Sequence, residues 1–258
     1  MAKRRDIDFI LREWEYEAGE VSARLVRTSD GREVLQMRID MGLLQLEVAN
    51  RPDGAQPHGA ETYFDYLLAL SIRAGDGFQL NEDQCAEADR EFVQFYQRRI
   101  CWLALREFHR AVMDADHSLA FMDFVRGCSP DEDWTISHEQ YRPYIMFHRT
   151  QAAALAELEE KRPEAAIEEI NRGLQKMREY FVDAEAEDRF EENELVARLD
   201  QLRESLRDHY HISRTLHEQL ADAVASEQYE LAAELRDQIE RRGGEHQESH
   251  RGRDLRGK

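Results

Sequence analysis

The sequence predicts an α+β fold, predominantly α, with a short antiparallel β segment towards its N-terminal end. Three observations carry that reading. Apolar residues alternate with polar ones only in the first fifth of the chain, which is the two-residue period of a half-buried strand. From Ala60 onward they return every three or four residues, the period of a helix. A length of 258 residues is also enough to enclose a core without a disulfide or metal staple.

In the β segment, Val21, Ala23 and Leu25 alternate with Ser22 and Arg24, and Leu35, Met37 and Ile39 alternate with Gln36, Arg38 and Asp40. Between the runs, Ser29-Asp30-Gly31-Arg32 predicts a hairpin turn, because glycine adopts the positive φ that tight turns demand. The apolar phase then slips from odd positions to the even Leu44, Leu46 and Val48. A one-residue slip would turn a strand inside out. Either a bulge bends one long strand at Gly42, or Met41-Gly42 opens a third strand, which is the reading we prefer. The turn formers from Asn50 to Gly59 end the sheet.

In the helical block, Tyr63, Tyr66, Leu67 and Leu70 share one face. Asn81 with Gln84 predicts a capped start for a helix that turns Cys85, Ala88, Phe92, Phe95, Tyr96 and Leu103 inward. Phe108, Ala111, Val112, Ala115, Leu119 and Met122 form the next stripe, and Arg126 to Asp133 reads as a loop. Ser137 with Gln140 predicts a second cap, opening a helix with Tyr141, Tyr144, Ile145, Ala152 and Leu155 inside. Ala166, Ile167, Ile170, Leu174 and Met177 follow, then Leu195, Leu199, Leu202 and Leu206. Phe95, Trp102, Phe108 and Ala111, and again Leu155, Ala166, Ile170 and Leu174, sit at offsets that resemble tetratricopeptide (TPR) repeats. Ala166 lies 55 residues beyond Ala111 (166 − 111) rather than the roughly 34 of an unbroken array, so an insertion near Gly127–Ser137 is implied. Small residues that merely let helices pack closely give the same pattern.

Composition narrows function. Lys and Arg total 35 against 54 Asp and Glu, a formal net charge of −19, so direct nucleic-acid binding is not expected. No run nears the ~18 apolar residues of a membrane span, and the basic start leads into no stretch of signal-peptide character. Cys85, Cys101 and Cys128 are scattered, odd in number and never in a CxxC pair, which fits a reducing cytoplasm. His209, His211 and His217 could suggest a metal, but His209 and His211, two apart on a helix, point away from each other and no Cys lies near in sequence, so no metal site is expected. With no GxSxG and no HExxH, neither an enzyme nor a cofactor is predicted. The acidic run Glu157–Glu194 reads as a solvated helix face, or as a surface for a basic partner.

Two lesser candidates remain. Arg51, Asp53 and His58 lie among Pro and Gly in the Asn50–Gly59 loop, a place where a hidden catalytic site would sit. A plain strand-to-helix connector is the commoner case. Trp134 is either an exposed aromatic anchor or, as we prefer, a cap packed against the Ser137 helix.

The sharpest signal runs from Thr215 to Ile239. Leu216, Leu220, Ala223 and Val224 make a narrow stripe, Ser226-Glu227-Gln228 interrupts it, and Tyr229, Ala232, Ala233, Arg236 and Ile239 begin another. That is a helical hairpin, with Thr215 and Glu218 capping its start, the two alanines allowing close approach and Tyr229 filling its open end. It buries little apolar area, at roughly 25 cal/mol per Å², against an ordering entropy of roughly 1–2 kcal/mol per residue. Such a unit is marginal alone and needs another helical surface: a second copy, the Leu195–Leu206 helix or a partner protein. Leu216, Gln219-Leu220, Ala223, Glu227, Tyr229-Glu230, Ala232-Ala233, Leu235-Arg236-Asp237 and Ile239 resemble the UVR motif of UvrB, UvrC, McsA-type activators and ClpC-type chaperones. The whole layout resembles bacterial UVR-motif proteins with a TPR-like helical region.

That resemblance implies a hairpin for protein–protein contact, with Leu216, Leu220, Val224, Tyr229, Ala232, Ala233, Leu235 and Ile239 as contacts and Arg236–Asp237 fixing register. The chain lacks UvrB's P-loop, recognisable nuclease acids of UvrC, and McsA-like CxxC pairs, so no activity is carried over. The expected partition is a β segment over 1–56, a TPR-like helical domain over 57–212, the hairpin over 213–242 and a disordered tail over 243–258. The expected function is a non-enzymatic cytoplasmic adaptor in stress response or protein quality control. The alternatives are an accessory of nucleotide excision repair and an enzyme around Arg51, Asp53 and His58.

Overall fold

The computed structural model describes residues 6–239 and Arg241, so the tail predicted over 243–258 lies outside the described residues. A short helix α1 (Asp8–Glu13) leads into strands β1 (Ala23–Arg27), β2 (Glu33–Ile39) and β3 (Gly42–Glu47). They form an antiparallel meander in the order β1-β2-β3. The third strand explains the slip in apolar phase. Leu35 pairs with Leu46, Met37 with Leu44 and Ile39 with Gly42, so odd positions of β2 share a face with even positions of β3. Asp40-Met41 simply turns the chain.

One face of the sheet, with Leu25, Leu35, Met37 and Leu46, packs on Cys101, Trp102, Phe108 and Ala111. The other face is polar and covered by the N-terminal segment. Gln36 accepts from Arg24, whose guanidinium lies 4.3 Å from the Trp14 ring centroid, and Arg38 donates to the carbonyls of Trp14 and Gly42.

Helices follow: α2 (Tyr63–Ala74), α3 (Glu82–Ala104), α4 (Phe108–Cys128), α5 (Glu132–Glu139), α6 (Arg142–Glu159), α7 (Pro163–Asp183), α8 (Asp188–Glu192), α9 (Glu194–Tyr210), α10 (Leu216–Ala225) and α11 over 229–239. Asn81 and Gln84 close the predicted capping box at α3. The successive partners α3–α4, α4–α6, α6–α7 and α7–α9 build a layered stack. The α3–α4 and α6–α7 turns are alike. Arg106 and Lys161, 55 residues apart, both take positive φ, and the amides of Glu107 and Arg162 reach back to the carbonyls of Trp102 and Glu157. This is a left-handed helix stop that satisfies otherwise orphaned carbonyls.

Two local expectations are corrected. The loop placed at Arg126–Asp133 is mostly helical, because nothing breaks α4 before Ser129, which Pro130 forces into extended backbone. Ser137 does not cap a helix. It lies inside α5, its hydroxyl donating to the Trp134 carbonyl, and the true cap is Asp131, which accepts from the Asp133 amide. α6 therefore starts at Arg142 with Pro143 in its first turn, and Tyr141 is exposed rather than inward. α5 occupies the place where the 55-residue spacing implies an insertion.

A seam of buried charge ties these layers together. Arg98 on α3 grips Asp114 on α4 with Nε and Nη2 at 2.7–3.2 Å, and its Nη1 donates to the carbonyls of Glu47 and Asn50 at the sheet's end. Glu91, fully buried, accepts from the Tyr63 and Phe64 amides at the start of α2 and lies 3.1 Å from His117 Nε2. His117 in turn stacks on Phe95.

α6 and α7 approach closely at Gly173. A Cβ added at Gly173 would fall 2.1 Å from Thr150 Oγ1. Alanine favours helix over glycine by about 1 kcal/mol, yet overpacking a tight contact costs about 1–3 kcal/mol. Gly173→Ala is therefore expected to lower the melting temperature by several degrees, and Thr150→Ala in the same chain to restore part of the loss. An unchanged or raised melting temperature for Gly173→Ala would contradict this packing.

Candidate functional site

The hairpin opens where α9 stops. His211 takes positive φ, and Ile212 returns its amide to the Arg207 carbonyl and its side chain to the main core. Thr215 and Glu218 then form a capping box. The Thr215 hydroxyl accepts from the Glu218 amide, and the Glu218 carboxylate accepts from the Thr215 amide at 2.7 Å. The same carboxylate pairs with Arg207 of α9, while His217 Nδ1 lies 3.2 Å from Glu168 of α7. Burial works against the charge of Glu218, but the Thr215 N–H and Arg207 outweigh it and hold the carboxyl below its ordinary value.

Beyond this root the hairpin has its own apolar cluster. Ala223, Ala232 and Leu235 are buried, with Leu216 and Leu220 packed against them. Glu227 takes positive φ at the tip, and the Gln228 amide reaches the Ala223 carbonyl, the same closure seen at Arg106 and Lys161. Other predicted contact residues face elsewhere. Val224 is half exposed and Tyr229 is 69% exposed, so Tyr229 does not fill the hairpin's open end. Tyr229 begins α11 directly after the tip, on the outer side of a hairpin whose inner side is already closed by alanines. Ala233, Arg236 and Asp237 are also exposed, and Ile239 is partly buried in a cavity of about 570 Å³ shared with Glu164, Glu168 and Tyr210. Leu231, absent from the sequence-based set, adds a further exposed apolar side chain.

The candidate residues of the Asn50–Gly59 loop are engaged with neighbouring side chains. Arg51 is buried and pairs with Glu87 at 2.5 Å, with Asp53 at 3.4 Å and with Glu91 at 3.6 Å. Asp53 also accepts from Gln94, and the His58 ring stacks on Tyr66 at 4.1 Å. Arg51 and His58 line one depression of about 410 Å³, but Asp53 is not among its walls.

Of the other candidates, Trp134 is neither an anchor nor a cap. It is partly buried against the cluster built from α2, α3 and α4 and donates Nε1 to Asp89 at 3.0 Å. The acidic residues of 157–194 include several with cationic partners, such as Glu157 with Arg162 and Glu169 with Arg149 and Arg172. Among the described residues no three His, Cys, Asp or Glu side chains gather as a metal cluster. Burial pushes the Cys101 thiol up to about 12 and the Cys128 thiol to about 11, which makes both poor nucleophiles. No described helix is long and apolar enough to cross a membrane.

Fold and site together define a mostly helical protein with a small N-terminal sheet, carrying a compact helical hairpin beyond α9. Residues 214–241 match the family model of the UvrB/uvrC motif, which occurs in nucleotide excision repair proteins and mediates protein interactions. The match covers about a tenth of the chain and coincides with the capped hairpin. Searches of curated proteins and of solved structures found no match.

Glu218 is the joint between hairpin and body. Glu218→Ala removes both the cap and the Arg207 pair, interactions worth about 1 kcal/mol or more together. Trypsin cleavage at Arg214 is expected to quicken about five- to tenfold, with the main melting transition unmoved. Equal cleavage rates would remove this residue from the joint.

Proposed function

We propose that the protein is a non-enzymatic adaptor in which a rigid helical body presents the 214–239 hairpin to another protein or to a second copy of the chain. The observation that carries this reading is the hairpin's division of its apolar residues. Three are buried in its own small cluster, while Val224, Tyr229 and Leu231 stay outside. A hairpin that holds itself together with so little, and leaves an aromatic side chain mostly and two aliphatic ones about half exposed, gains from being covered. The motif's known use in protein contact supports the same reading.

In this proposal α3–α4 and α6–α7 are two TPR-like units with α5 inserted between them, and their matching turns support that view. The setting is the cytoplasm, in stress response or protein quality control. A second reading, an accessory of nucleotide excision repair, draws on the motif itself. It works through a protein partner, since a net charge of −19 opposes phosphate backbones. The use of Arg51 as an internal ion-pair partner favours the non-enzymatic reading over a loop-based active site.

A chain ending at Ser213 is expected to keep the body's melting transition and to lose self-association or partner capture. In the full chain, Val224→Asp with Tyr229→Asp is expected to weaken the same association at least tenfold without lowering the main melting transition of the body, because neither side chain belongs to a buried cluster. Light scattering and affinity purification, with the three proteins at equal concentration, provide the test. Undiminished capture by the truncated chain would overturn the proposal.

A further inference from the structure

Among the described residues five arginines are buried: Arg38, Arg51, Arg98, Arg99 and Arg142. Four are accounted for. Arg51, Arg98 and Arg142 each hold at least one carboxylate, and Arg38 is surrounded by backbone carbonyls. Arg99, at 1% exposure, is different. Among the described residues it has no carboxylate within 4.0 Å. Its Nη1 donates to the Ser118 hydroxyl at 3.1 Å, and its Nε has only a long contact of 3.5 Å to His148 Nδ1. The nearest influential acid, Asp114, is already gripped by Arg98.

A buried cation with only neutral partners is costly, and here its surroundings respond. Burial pulls the guanidinium down to about 10, so it is still charged at neutral pH. Burial, with the Arg99 and Arg198 cations, holds His148 down to about 4, leaving it a neutral acceptor.

Arg99 is also one wall of a cavity of about 720 Å³ between α3, α4, α5 and α6. Phe92, Tyr96, Met122, Tyr144 and Ile145 supply most of the apolar lining. Val93 and Tyr141 are more than half exposed at its rim, so the cavity opens to solvent there. The size and a buried cation set in a mostly apolar lining match small-molecule sites in general. The acid in the lining, Asp89, is held at the α5 side by His138 and Trp134.

We propose that this cavity binds a small monocarboxylic acid with an apolar body, its carboxylate on the Arg99 guanidinium and its body between Tyr96, Tyr144 and Met122. One planar guanidinium matches one carboxylate in a two-point contact. A dianionic phosphate would leave a charge unmatched among aromatic and aliphatic walls. The site is independent of the hairpin and adds a ligand to the adaptor reading.

Isothermal titration of the full chain with decanoate and with 1-naphthaleneacetate, each beside its alcohol, tests this. At least one acid is expected to bind at least tenfold tighter than its alcohol. Arg99→Met should abolish that preference, and the melting temperature of the unliganded variant should hold or rise, since removing an unmatched buried charge relieves a cost. Val93→Trp, a change at the exposed rim, should weaken acid and alcohol alike. If neither acid binds below millimolar concentration, or if Arg99→Met retains the preference for the acid, the proposal is overturned. A marked fall in the melting temperature of Arg99→Met would equally overturn it, by making Arg99 a structural group.

Discussion

The structure depends on how α3 carries charge into the interior. Glu91, Arg98 and Arg99 lie on a helix that is otherwise lined with Cys85, Ala88, Phe95, Cys101 and Trp102. A buried charge is costly unless it is matched, so Arg98 and Glu91 dictate what lies opposite them. Arg98 requires Asp114 from α4 and the carbonyls that end the sheet. Glu91 requires the open N-terminus of α2, where unpaired amides and the helix dipole favour an anion. The sheet, α2 and α4 are thus positioned on α3 by a few directional bonds, and apolar packing fills the space between them. Arg99 is the member of the seam whose match is incomplete, and the cavity sits where that match is missing.

The hairpin follows the opposite rule. Its root is tied to α9 and α7 by Glu218, His217 and Ile212. Past the root, it closes on two alanines and three leucines. The body has clusters several times larger, such as the one from Phe147 to Leu206. Stability in proteins is distributed by burial and local contact, so an element like this opens more easily than the core beside it. An easily opened hairpin with exposed aromatic and aliphatic side chains is suited to exchanging its own contacts for those of a partner.

Much of this architecture was legible in the sequence. The alternation in β1 and β2, the parity change into β3, the Asn81 box and the Thr215 box are local signals, and each appears as read. The hairpin as a unit was equally legible. Its exposed faces were not, because a stripe of apolar residues does not say which side a partner helix will close. α5 escaped because Ser129-Pro130-Asp131 reads as a loop, although Asp131 is a cap. The charged seam escaped for a different reason. Its partners lie 16 to 51 residues apart, far beyond the three- and four-residue spacings that a sequence displays on one helix. A trace was present: Glu91 and Arg98 fall on the same inward stripe as Ala88, Phe95 and Trp102. A charge in such a position demands a distant partner even when the partner cannot be named.

The central claim is that the hairpin is a separately opening unit on a body that does not need it. Hydrogen exchange of the intact chain at neutral pH measures this directly. The account predicts that amides of 216–239 exchange through an opening about a hundredfold or more easier than that of α6 and α7, about 3 kcal/mol or more apart, while α6 and α7 exchange alike with or without the hairpin. Equal protection across both regions would contradict it.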